Sequence, residues 1–255
     1  MKLATWNVNS LKVRLPQVIE WLNINQPDIL CLQETKLSDE NFPEQEIAAI
    51  GYHSVFSGQK TYNGVAIISK QKGDEILTTL PDFLDEQKRV IAATYGDVRI
   101  ISIYVPNGET VESEKYSYKL RWLPALNRWM KLELENYAKV ALLGDFNIAP
   151  EDRDVYDPEI WQDKVLCTFP ERDAFKNLLR AGFRDSFRLF NQPEKSYTWW
   201  DYRMMAFRLN RGLRIDHILL SDVLAQKCMT CSIDKAMRKQ ERPSDHAPLV
   251  VELSF

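Results

Sequence analysis

Short runs of crowded apolar and β-branched residues recur along the 255-residue chain. "KLATWNV", "DILCLQE", "GVAIIS", "RVIAATY", "VRIISIYV", "KVALLGDF", "LRIDHILLS" and "APLVVELSF" each have the length and make-up of a strand. They are too many for one layer of an ordinary small domain, so two packed sheets are expected. Between them the apolar spacing becomes helical. Leu11, Leu15, Val18, Ile19 and Leu22 share one face, and Phe175, Leu178 and Leu179 form a second stripe that Gly182 ends. A long helix is predicted from Ser113 to Glu135 with Leu120, Leu123, Leu126 and Met130 apolar, and Pro124 should kink or split it. The expected fold class is α/β, two sheets with helices against at least one sheet face.

No Gly/Ser or Pro-rich tract divides the chain, and the longest polar connection is 152–169, so residues 1–255 read as one domain. "KLATWNVN" and "KVALLGDFN" echo each other as apolar strands that end in an Asn-bearing turn, a hint of two similar halves. A composition of 45% hydrophobic and 27% charged residues excludes a mostly disordered chain. The net charge of −3 does not favour a polyanionic partner, so any nucleic-acid binding has to come from a local basic face. The opening lacks the order of a signal peptide and no stretch reaches membrane-spanning length, which predicts a cytoplasmic protein without a membrane partner. Cys31, Cys167, Cys228 and Cys231 lack a second metal-binding pair and read as structural thiols.

The informative pattern lies where the strands stop. Asn7, Glu34, Tyr104, Asp145 with Asn147, Asp216, and Asp245 with His246 all fall at such ends. A single Asn or Asp after a strand is most simply a turn former or helix cap. The accumulation of them suggests a site held on a rigid sheet. The chain has no G-x-S-x-G, P-loop or H-E-x-x-H, and its three histidines are too few for a typical zinc site. Hard oxygen donors suit Mg²⁺, which takes its remaining ligands from water and substrate phosphate. Hydrolysis of a phosphate ester follows as the natural chemistry.

The ordered set "TWNVNSL", "LQETK", "YVPNG", "LGDFNIAP", "RGLRIDH" and "SDHAP", spread over residues 5–248, resembles the exonuclease III family of DNA-repair nucleases. These belong to the DNase I-like endonuclease/exonuclease/phosphatase superfamily. The resemblance implies a four-layer α/β sandwich, two mixed sheets flanked by helices, and Mg²⁺-dependent cleavage of DNA phosphodiesters, with Mn²⁺ as a substitute ion. It implies Glu34 as principal metal ligand, Asn7 beside it in the metal site as the residue that orients it, and Asp245 as a second ligand, directly or through water. Asn9 stands where some relatives carry an acid, which lowers the charge available to a two-metal arrangement. Asp145 would accept the proton of the attacking water, although His246 competes for that role. Asn147 would position water and phosphate, and Tyr104 would bind a phosphate oxygen. Asp216 would orient His246. His217, its neighbour on the strand, should point the other way and be structural, and His53 has no evident partner.

"RMMAFRLNRGLR" follows "YTWWDY" and holds Arg203, Met204, Arg208 and Arg211 without an acid, a basic loop with aromatics suited to DNA backbone contacts. Arg89 and Lys119 are further candidates on the same face. By resemblance Trp199, Leu213 and Ile215 wall a pocket for a flipped-out sugar lacking its base. The expected partner is duplex DNA with abasic sites, nicks or recessed 3′ ends, met by a monomer. The expected activities are 3′–5′ exonuclease, 3′-end cleaning and incision 5′ to abasic sites. A phosphatase of small phosphorylated molecules and a non-catalytic DNA-binding relative are the alternatives.

Overall fold

Each apolar run singled out above is a strand in the computed structural model, which describes residues 1–255. The strands are β1 (Lys2–Asn7), β2 (Ile29–Gln33), β3 (His53–Ser57), β4 (Val65–Ser69), β5 (Asp74–Leu77), β6 (Val90–Tyr95), β7 (Val98–Tyr104), β8 (Lys139–Asp145), β9 (Phe183–Asp185), β10 (Asp216–Ser221), β11 (Cys228–Ile233) and β12 (Leu249–Leu253). The helices are α1 (Leu11–Asn25), α2 (Glu44–Ala49), α3 (Glu114–Asn136), α4 (Pro158–Trp161), α5 (Phe169–Ala181) and α6 (Asp222–Ala225).

Two six-stranded sheets result, in the orders β11-β12-β1-β2-β4-β3 and β5-β6-β7-β8-β10-β9. The strands without an apolar run in the sequence, β3, β5, β9 and β11, are the four sheet edges. Edge strands face solvent along one side, so theirs are mixed sequences that no hydrophobic run announces. Each sheet contains one parallel pair, β1 with β2 and β7 with β8. Reading the second sheet backwards superposes its order on the first, and β8 takes the place of β1 between an antiparallel and a parallel neighbour. The echo between "KLATWNVN" and "KVALLGDFN" is therefore structural.

Leu3, Cys31, Ile67, Ala93, Ile100, Leu143, Ile218 and Leu249 fill the space between the sheets. Trp6, Leu32 and Ala66 pack outward against Leu11, Val18 and Leu22 of α1. Ile101, Val140, Leu142 and Leu219 pack against Leu123, Leu126 and Met130 of α3 and Phe175 and Leu178 of α5. The layers are thus helix, sheet, sheet, helix, the DNase I-like arrangement. Helix α5 opens on a capping box between Thr168 and Glu171 and ends at Gly182, whose left-handed backbone returns its N–H to the carbonyls of Leu178 and Leu179. The expected split at Pro124 does not occur: α3 runs unbroken from Glu114 to Asn136, with the proline on its exposed side. The connection 152–169 carries a 3₁₀ turn at Asp152–Asp154 and the short α4.

One close approach sets the position of the site. At Gly144 (φ 150°) a β-carbon would lie 1.9 Å from the Ile103 carbonyl oxygen, so only glycine lets β8 run this tightly along β7.

Candidate active site

Three strand ends of the second sheet stand side by side. Tyr104 closes β7, Asp145 closes β8 and Asp216 opens β10, and the ladders pair Tyr104 with Asp145 and Asp145 with Asp216. From the first sheet come Asn7 at the end of β1, Glu34 immediately after β2, and His246 in the approach to β12. Asn9, Glu34, Lys36 and Asn147 all have left-handed backbones, with φ of 43°, 51°, 54° and 48°. Such conformations are costly for non-glycine residues; these are four of the chain's eighteen, and they lie next to the strand ends that carry the site.

Asn7 joins the two sheets. Its amide nitrogen donates to Glu34 Oε1 at 2.9 Å and to Asp145 Oδ2 at 2.9 Å, while its amide oxygen accepts the Asn9 N–H at 2.9 Å. The Ser244 hydroxyl holds the Asn7 carbonyl at 2.6 Å. Asn147 donates its backbone N–H to Asp145 Oδ1 at 2.9 Å and its amide nitrogen to the Val105 carbonyl at 3.0 Å; its amide oxygen accepts from Asn107 Nδ2 at 2.9 Å. His246 sits between two acids, with Nδ1 2.8 Å from Asp216 Oδ2 and Nε2 3.8 Å from Asp145 Oδ2. The Thr198 hydroxyl accepts the backbone N–H groups of Ile215 and Asp216 at 3.1 Å and so fixes the start of β10.

This geometry separates the ionisation of the site groups. Burial, reinforced by the like charge of Asp216 and moderated by His246, pushes Asp145 up to about 7. Burial works against the imidazolium of His246, but Asp216 and then Asp145 outweigh it and raise His246 to about 10. Burial and the Glu34 carboxylate keep the half-buried Tyr104 hydroxyl protonated, well above its ordinary value. A charged imidazolium at His246 thus stands beside an Asp145 carboxyl raised toward neutrality.

One ligand atom each from Glu34, Asp145 and His246 lie within 4.8 Å of one another. Glu34 and Asp145 together offer the hard oxygen donors that suit a divalent cation such as Mg²⁺. Lys36 is the only lysine paired with Glu34, at 2.9 Å from Oε2.

Asp245 is not brought to this cluster. It precedes His246 in the chain, with Oδ1 accepting from Asn9 Nδ2 at 2.9 Å and Oδ2 from Trp199 Nε1 at 2.9 Å. Burial would raise its pKa, but the His246 charge and those two donors hold it below the usual carboxylate value. Asp245 thus fixes the Trp199 indole and the Asn9 amide in this arrangement.

Lys119 also departs from expectation. It is fully buried and paired with Glu171 at 2.5 Å, so it cannot meet DNA. Arg89 is 9% exposed, with its guanidinium 4.7 Å above the Tyr104 ring and bonded to the Tyr104 carbonyl at 3.2 Å. It braces Tyr104 and shows only an edge to the adjoining groove of about 770 Å³. Leu213 and Ile215 are buried with Ala149, Val155 and Cys167 behind the partly exposed Trp199, so they back the indole and do not wall an open pocket. Arg203, Met204, Arg208 and Arg211 stand exposed on a turn-rich loop. Tyr202 docks that loop at the rim of the site, donating to the Pro243 carbonyl at 2.9 Å and accepting from Arg14 at 3.2 Å. His217 points to the helix side of its sheet, as strand alternation requires, and His53 is exposed.

Asn107, Thr198 and Ser244 were not picked out from the sequence. All three lie inside or beside motifs that were quoted, "YVPNG", "YTWW" and "SDHAP", and act by orienting the residues that were.

Residues 4–246 match the Endonuclease/Exonuclease/phosphatase family. The exodeoxyribonuclease III of Haemophilus influenzae is 37% identical over 265 residues, covering 99% of each chain. Among solved structures, a Neisseria 3′ phosphatase, NExo, bound to a product DNA hairpin is 48% identical with a TM-score of 0.97, and each chain covers all of the other. An AP endonuclease from Archaeoglobus fulgidus is 40% identical with a TM-score of 0.96, again over the full length of both chains.

Proposed function

Because the chain belongs to the endonuclease/exonuclease/phosphatase family, within its branch of exonuclease III and AP endonuclease DNA-repair enzymes, we propose that it is a Mg²⁺-dependent phosphodiesterase of damaged duplex DNA. In this reading it removes nucleotides and blocking groups from 3′ ends and incises 5′ to abasic sites, as a cytoplasmic monomer. Residues 1–255 work as one catalytic unit, since the site draws on both sheets. The observation that carries the reading is the convergence of Glu34, Asp145 and His246, with ligand atoms within 4.8 Å, while an exposed arginine loop is anchored nearby through Tyr202 to Asn9. A similar chain described as a 3′ phosphatase bound to product DNA supports the 3′-end activity.

Each residue has a role that its surroundings support. Asp145, held by Asn7 and Asn147, accepts the proton of the attacking water. Asn147 orients that water and the phosphate. Tyr104 and the His246 imidazolium donate to phosphate oxygens on which charge builds. Asp216 keeps the imidazole charged and turned toward Asp145. Glu34 would hold the cation together with water and substrate phosphate, with Asn7 setting its separation from Asp145. When bound, Mg²⁺ supplies positive charge beside the reacting phosphate. The exposed Arg203, Met204, Arg208 and Arg211 contact the DNA backbone and groove, and Trp199, set by Asp245, closes one side of the nucleotide site.

The test is a comparison of an internal abasic-site duplex, a 3′-phosphate nick and a plain recessed end, each with Mg²⁺, with Mn²⁺ and with chelator. Chelator-sensitive products from DNA are expected. Absence of any such product, with DNA binding retained, would reduce the protein to a binding module.

A further inference from the structure

Lys119 is an anomaly among the lysines. Its side chain has no exposure, and each of its three ammonium protons has an acceptor: Glu171 Oε1 at 2.5 Å, the Asn147 carbonyl at 2.6 Å and the Asn107 carbonyl at 3.1 Å. Glu171 is also fully buried and is held by the N–H groups of Leu166 and Thr168 at 3.0 Å each and by the Thr168 hydroxyl at 2.7 Å. Taking a lysine and a carboxylate out of water is expensive, and an apolar pair of similar volume would serve packing at least as well. What an apolar pair would not supply is a donor to the two carbonyls.

Those carbonyls belong to two residues whose side chains meet. Asn107 Nδ2 donates to Asn147 Oδ1 at 2.9 Å, and Asn147 in turn donates to Asp145. The loops that carry them follow β7 and β8, and Asn147 has a left-handed backbone (φ 48°). The ammonium grips the peptide oxygen next to that costly conformation and ties it to the neighbouring loop, with α3 as the fixed support. Gly108 leaves the space for this: a β-carbon there would sit 3.5 Å from Lys119 Cδ and tighter still against Val165 and Tyr116.

We propose that Lys119, with Glu171 as its counter-ion, is a positioning residue that fixes the Asn107–Asn147 amide pair against Asp145. This rests on the reading of Asn147 and Asp145 given above. In Glu171→Gln the buried lysine loses its counter-ion and sheds one proton, but the neutral amine still has two N–H donors for the two carbonyls and a lone pair for the new amide, so the variant should turn over a 3′-phosphate nick within about threefold of the unsubstituted enzyme. Lys119→Met in the Glu171→Gln background removes both carbonyl contacts without stranding a buried charge. It should lower kcat tenfold or more, change KM less than twofold and shift the side-chain amide signals of Asn107 and Asn147. Equal kcat in the two variants would overturn the proposal, as would unmoved amide signals. The unsubstituted chain gives a check that needs no variant and no activity. Its Lys119 ammonium should yield a slowly exchanging signal with cross-peaks to Asn107 and Asn147. Free exchange with water would refute the strut while leaving the nuclease reading untouched.

Discussion

His246 Nδ1 lies 2.8 Å from Asp216 Oδ2, which leaves Nε2 as the ring nitrogen turned toward Asp145. The two residues lie 30 positions apart in sequence, Asp216 opening β10 of one sheet and His246 leading into β12 of the other. Their contact therefore depends on how the sheets stack. Asp216→Asn keeps the shape but removes the charge that favours the imidazolium. A fall in kcat of about 100- to 10,000-fold is expected, with DNA affinity little changed. The imidazole nitrogen shifts should show His246 losing its proton near neutral pH. A protonated His246 in the variant would refute the assignment.

Asp145→Asn should leave duplex binding nearly intact and cut turnover by orders of magnitude, because the carboxylate is needed once the proton leaves water. Parallel measurements of binding and single-turnover cleavage decide it. Weakened binding with unchanged turnover would count against Asp145 as the base.

Glu34→Gln retains an acceptor for the Asn7 amide, so the local fold should persist. Loss of a carboxylate from the donor set should raise the Mg²⁺ concentration needed for half-maximal activity. It should also weaken the thermal stabilisation that Mg²⁺ gives the DNA-free protein. An unaltered metal titration would remove Glu34 from the ligand set.

The candidate site was legible because polar residues at the ends of buried strands are conspicuous against apolar runs. Tyr104, Asp145 and Asp216 form a row for that reason. Other features were illegible for equally physical reasons. A lysine on an amphipathic helix reads as surface, and the partner that buries Lys119 lies 52 residues away. Asp245 and His246 are adjacent, so nothing in the sequence says that the acid turns toward Trp199 while the imidazole enters the site. Edge strands such as β5 and β9 carry too few apolar residues to be announced.

Replacing Arg203, Arg208 and Arg211 together by Ala should weaken DNA binding about equally for all sequences. It should also flatten the dependence of log affinity on log salt by up to about 0.9 for each arginine that meets a phosphate. Arg203 has 87% of its side chain exposed and only a long contact to Asp201, so little fold stability is at stake. An unchanged salt slope would place the DNA elsewhere.

His217 provides a stability test separate from catalysis. Its imidazole is fully buried, with Nε2 donating to the Ile148 carbonyl at 2.9 Å and Nδ1 accepting from Arg214 Nη1 at 3.0 Å. Phe175 and Phe146 pack against it at ring distances of 4.8 and 5.1 Å. Burial first, and then the Arg214 charge, push its pKa well below the ordinary value. Protonation would set a second donor against the guanidinium, which Asp154 and Asp185 hold in place at 2.7 and 2.8 Å. Below about pH 6.5 the unfolded chain takes up a proton at this residue that the folded chain refuses. Stability contributed by neutral His217 is thus full above that pH and falls by up to about 1.4 kcal/mol per unit as the solution is acidified. Asp145, raised to about 7, acts with the opposite sign between its unfolded value and 7, because there the folded state binds the extra proton. The diagnostic quantity is therefore a difference: urea unfolding of the chelator-treated protein against that of His217→Gln, from pH 8 to pH 5. The glutamine variant should be less stable at pH 8, where the ring packing against Phe146 and Phe175 is lost, and the gap should narrow steadily below about pH 6.5. A gap that stays constant down to pH 5 would mean that His217 accepts its proton inside the folded protein.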